Sequence, residues 1–67
     1  STREKMSEIM VHLSGHKFVP LSSLLAKDEG RLGIVVTFLA VMELMKDSMV
    51  EIVQTDPFGP IHLKSRS

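Results

Sequence analysis

In the opening stretch STREKMSEIMVHLSGH, apolar side chains recur at Met6, Ile9, Met10 and Leu13, the i, i+3, i+4, i+7 spacing of one helix face. A first amphipathic helix is therefore predicted, with Lys5, Glu8 and His12 towards water. Ser1 and Glu4 stand at capping-box spacing, and Gly15 is placed to end the helix in a left-handed conformation. Phe18 and Val19 then suggest a short extended piece. Pro20 fits there only at a sheet edge or at the start of the next helix. Leu21, Leu24 and Leu25 have helical spacing, which predicts a short second helix over about Leu21 to Lys27. Asp28 and Glu29 suit the positive N-terminal end of a following helix, and Lys46 suits its C-terminal end. That third helix is expected from about Arg31 to Asp47. Beyond it, MVEIVQT is rich in β-branched residues and alternates, with Val50, Ile52 and Gln54 on one face. Pro57 and Gly59 in DPFGP make a turn, and IHLK returns as a strand with Ile61 and Leu63 inward.

The order helix, strand, helix, helix, strand, strand predicts an α+β fold of the winged-helix type, three helices closed by a small hairpin. A lone hairpin is unstable, so its Val50, Ile52, Ile61 and Leu63 face is expected to pack on the helices. The third helix is unusual. Surface helices show one apolar stripe and one polar face. On a wheel of about 3.6 residues per turn, Ile34, Val41, Leu44 and Met45 fill one side here. Val35, Phe38, Leu39 and Met42 fill the adjoining side, and Val36, Ala40, Glu43 and Asp47 make the remainder. This arc is wider than two short helices need. Either the helix is central and covered all round, or the Val35, Phe38, Leu39 and Met42 side stays exposed until a protein covers it.

Composition changes the picture in two ways. The 67 residues include 8 Lys and Arg against 8 Asp and Glu, so the formal net charge is zero. Nucleic-acid binders usually carry a basic excess, because neutralising phosphate supplies much of their affinity. From Gly33 to Leu44 the third helix has no Lys or Arg, whereas a major-groove reader needs Arg, Lys, Asn or Gln at the base edges. There are no cysteines, which removes disulfides and thiolate zinc sites and fits a reducing cytoplasm. A chain this short buries only about 60% of its unfolded surface, so its core is marginal. Five methionines against three phenylalanines make that core or its contact surface adaptable. No apolar run approaches the ~18 residues of a membrane span.

Other chemistry is thinly represented. His12 and His16 are four apart with Glu8 a turn earlier, but Gly15 interrupts the helix between them and no further ligand is evident. Ser22 and Ser23 lack an orienting acid, which argues against nucleophilic catalysis. GRLG, Gly30 to Gly33, has the spacing of the KH-domain loop with one basic residue in it. The alternative to a protein-docking domain is therefore a nucleic-acid-binding winged-helix or KH-like module. No cofactor or metal is expected, and no enzymatic activity.

At TFLAVMELMK, VEIVQ and FGPIHL the chain resembles the C-terminal winged-helix domain of the bacterial segregation and condensation protein A family, which are kleisins. The family pattern T-F-L-A-x-L-E-L-x-K is met by Thr37, Phe38, Leu39, Ala40, Met42, Glu43, Leu44 and Lys46, with Met42 in place of Leu. Gln54, Phe58, Gly59, Ile61 and Leu63 complete it across the strand and turn. The resemblance implies a single domain over residues 1–67, the C-terminal fragment of a longer chain, that docks on the ATPase head of an SMC protein. It further implies that absent N-terminal and central regions grip the other head's neck and a dimer of a second accessory protein. DNA would be handled by the whole complex, at the nucleoid in the cytoplasm, with no membrane involved. By analogy with kleisins, Val35, Phe38, Leu39 and Met42 are the expected contacts to the SMC head.

Overall fold

The computed structural model describes residues 1–25 and 30–66. Its elements are α1 (Thr2–Leu13), β1 (Val19–Pro20), α2 (Leu21–Leu25), α3 (Gly30–Lys46), β2 (Val50–Val53) and β3 (His62–Ser65). This is the expected α+β order, three helices with an antiparallel sheet, consistent with a winged helix. Ala26 and Lys27, expected in the last turn of the second helix, and Asp28 and Glu29, expected at the start of the third, lie outside the described residues.

Helix α1 begins with a complete capping box. The Ser1 hydroxyl accepts from the Glu4 backbone N–H, and the Glu4 side chain reaches back to the Ser1 backbone. The hydrogen bond from the Ser1 hydroxyl lowers the Glu4 carboxyl below its ordinary pKa. Gly15, at φ 79°, takes the left-handed position just past the helix, where a Cβ would be strained. The predicted stripe is the buried one: Ile9 and Leu13 are buried, and Met6 and Met10 pack against them.

Strand β3 lies at the centre of the sheet, between β1 and β2, in the order β1-β3-β2. Leu63 stands opposite Val19 on one side and Ile52 on the other. Pro20 is in an edge strand, where its missing N–H is tolerated. The amide of Leu21, the first residue of α2, donates to the Ile61 carbonyl at 2.9 Å, which ties that helix to the approach of β3.

One core unites the elements: Ile9, Leu13, Val19, Leu24, Ala40, Val41, Leu44, Val50 and Leu63 form a single buried cluster. Thr37 is fully buried with them. No buried side-chain polar atom among the described residues lacks a hydrogen-bond partner. The expected inner face of the hairpin is only half right. Val50 and Leu63 are buried, whereas Ile52 is 44% exposed and Ile61 36%. Val50 and Ile52 share one face of the edge strand β2, but Val50 follows α3 closely and is covered, whereas Ile52 lies two residues nearer the β2–β3 loop and is left half open.

Helix α3 ends in a left-handed residue that is not glycine. Ser48 has φ 60°, the Ser48 amide donates to Met45 at 3.0 Å, and the Met49 amide donates to Leu44 at 2.9 Å. This is the glycine position of a helix C-terminus, where an L side chain is held at a cost. Ser48→Gly is expected to raise the unfolding free energy by about 1 kcal/mol, measured as a higher urea midpoint at unchanged slope. An unchanged or lower midpoint would show that the serine is unstrained.

Candidate functional site

Helix α3 divides into two faces. Thr37, Ala40, Val41 and Leu44 are buried, at the i, i+3, i+4, i+7 spacing of a core stripe. The first two are small or polar, and the breadth of oil elsewhere on the helix obscured them. The opposite side is apolar as well, yet open to water. Val35 is 47% exposed, Phe38 43%, Leu39 49% and Met42 62%. These four also follow i, i+3, i+4, i+7, so they are neighbours on one helical face.

The two explanations for the wide apolar arc are thereby distinguished. The helix is central, but it is covered on one side only. The exposed strip is also broader than expected. Ile34 and Met45, grouped by the wheel with Val41 and Leu44, are themselves exposed at its margin. An apolar strip along a whole helix face is uncommon on a monomer and marks a contact surface.

Charge is placed elsewhere. Within α3, Lys46 lies 3.9 Å from Glu43 at the C-terminal end, and Arg31 is exposed at the beginning. On the sheet, Glu51 is approached by Lys64 at 3.4 Å and by Arg66 at 3.6 Å, so two cations beside the hairpin share one carboxylate. Lys17 lies over the Phe18 ring, 5.8 Å from its centre. GRLG, considered as a KH-type loop, is instead the first turn of α3.

The remaining candidates assemble no reactive group. The His12 and His16 rings are stacked with centres 6.3 Å apart. Among the described residues no group of three or more His, Cys, Asp or Glu could hold a metal ion. The Ser23 hydroxyl donates to the Pro20 carbonyl at 2.7 Å, a local helix-start bond. Among the described residues no helix is long and apolar enough to cross a membrane.

One exposed residue was not expected as a site. Phe58, in the loop between β2 and β3, is 100% exposed. Its signal in the sequence was an aromatic residue set between two turn prolines, Pro57 and Pro60.

Together these features define a small winged-helix-type domain whose third helix shows hydrocarbon where a groove-reading helix shows cations. Comparison with known proteins then gives the family. The family model described as Segregation and condensation protein ScpA matches residues 1–65, and the chain belongs to that family. Members of the family are non-enzymatic kleisin subunits, in keeping with the expectation of no enzymatic activity. The chain is 48% identical to Segregation and condensation protein A of Xylella fastidiosa (strain Temecula1), over 97% of its own length and 22% of that protein's. It is 39% identical to the protein of the same name from Coxiella burnetii, over 98% of its own length and 25% of that protein's. A third relative of that name, from Lactiplantibacillus plantarum, is 39% identical over 94% of the chain and 25% of the relative. The chain thus spans about a quarter of the length of the curated relatives it matches.

Proposed function

We propose that this chain is the C-terminal winged-helix domain of a bacterial kleisin, and that it docks on the ATPase head of an SMC protein through Val35, Phe38, Leu39 and Met42. The observation that carries this reading is the exposed apolar face of α3, on the helix that a DNA-binding relative of the fold would use for base contacts. The helix-turn-helix architecture is reused here for grip on another polypeptide. Family membership supports a role in chromosome segregation and condensation, which in this reading is carried out at the nucleoid. The other regions of such a chain would hold the second head and the second accessory protein, and the whole complex would handle DNA. The domain itself performs no chemistry in this scheme.

Calorimetric titration of the chain with an SMC ATPase head is the direct test. Saturable binding is expected, with an affinity that changes only a few-fold between about 50 and 200 mM salt, because apolar burial drives it. Phosphate binding through six or more contacts would instead lose about a thousandfold or more over that range. Titration with duplex DNA showing that steep loss, with no heat from the SMC head, would support the nucleic-acid reading and overturn the proposal.

A further inference from the structure

The loop joining β2 to β3 is built to hold one side chain in water. Phe58 is fully exposed, yet the backbone beneath it is fastened at three points. The Phe58 amide donates to the Asp56 carboxylate at 3.2 Å. The Gly59 amide donates to the Asp56 carbonyl at 2.9 Å. The Gln54 side-chain amide donates to the Gly59 carbonyl at 2.9 Å, closing the loop across its base. Pro57 and Pro60 restrict the backbone on either side of Phe58 and Gly59. Gly59 is required for this closure, since a Cβ there would stand 2.9 Å from the Asp56 Cβ.

Such a loop has already lost most of the backbone entropy that binding normally takes away. A large aromatic group on a pre-ordered tip has the character of a binding hot spot, and an exposed phenyl ring contributes nothing to the domain's own core. We infer that Phe58 is a second anchor in the docking of this domain, filling an apolar pocket on its protein partner. The inference rests on the reading above, and the partner is the same SMC head.

Charge decides the class of partner. Between Gln54 and Ile61 the only ionisable residue is Asp56. A negative loop without Lys or Arg repels DNA phosphates and anionic lipid headgroups alike. One ring is also far too small to hold two copies of the chain together, since stable pairs bury about 1,200 Å2 or more. The ring therefore acts within a larger contact to a protein.

A double-mutant cycle in SMC-head binding tests this. Phe58→Ala is expected to weaken binding by about tenfold or more while leaving the thermal midpoint unchanged. Gly59→Ala, which disturbs the turn but keeps the ring, is expected to weaken it comparably. The double variant should bind no worse than Phe58→Ala alone, because the glycine acts only through the ring. Phe58→Leu should recover most of the affinity. Wild-type affinity in Phe58→Ala overturns the inference and leaves the docking reading standing. Absence of any binding by the unsubstituted chain overturns both. Retention on vesicles containing anionic lipid that is lost in Phe58→Ala would make the tip a lipid-inserting residue, and would overturn the inference too.

Discussion

Phe38→Arg is expected to reduce SMC-head affinity by about a hundredfold or more while the domain stays folded. Phe38 is 43% exposed, on the side of α3 away from Ala40 and Leu44. An arginine there can run its methylenes along the helix and keep its guanidinium in water, so the free domain tolerates it. The complex does not. Docking would forfeit roughly 1 kcal/mol for the part of the phenyl surface still open to water, and, as the larger cost, would place an unpaired cation against an apolar surface. About 2.7 kcal/mol already corresponds to a hundredfold in affinity. Met42→Arg should behave alike, since Met42 is the most exposed of the four. Calorimetry with the SMC head, with circular dichroism to confirm folding, checks both. Arg31→Ala, at the exposed start of the same helix, serves as a control and should bind normally. If either arginine variant fails to fold, the residue belongs to the core and the docking assignment is wrong. If a folded variant binds normally, the face is not the interface.

The second large effect concerns stability. Leu63→Ala should cost about 2–5 kcal/mol. Leu63 is fully buried, in the central strand of the sheet, opposite Val19 on one flank and Ile52 on the other. Domains of this size have only about 3–10 kcal/mol to lose, so the variant should be substantially unfolded at physiological temperature. Leu44→Ala, 1% exposed on the buried stripe of α3, should be nearly as damaging. Ile52→Ala provides the contrast. Its side chain projects from an edge strand and is 44% exposed, so less than about 1.5 kcal/mol is expected. Urea midpoints at constant slope measure all three. Equal losses at Leu63 and Ile52 would contradict the half-covered sheet.

Much of this architecture was legible beforehand because it is encoded locally. The stripe of α1, its capping box and the turn residues of the hairpin each depend on neighbours within a few positions. The exposed face of α3 was legible only as one of two alternatives, since Val35, Phe38, Leu39 and Met42 form an uncharged helical strip that a central helix could equally have buried. What escaped depends on contacts distant in sequence. Thr37 and Ala40 read as unremarkable, but small residues are what bring one helix close against its neighbours. Ile52 alternates like a core residue, yet it is left half open while Val50, two residues earlier on the same face, is buried. Ser48 carries no mark of a left-handed backbone; the conformation is imposed by the sharp step from α3 into β2. Phe58 read as a turn residue within a motif, and its full exposure follows from a hydrogen-bonded loop that composition does not reveal.

The bare side of α3 has a corollary for the unassembled subunit. With a formal net charge of zero near neutral pH, copies of this domain gain no electrostatic self-repulsion to keep them apart. Hydrocarbon displayed in this way is an aggregation liability, so the isolated domain is expected to self-associate as its concentration rises, which sedimentation would measure.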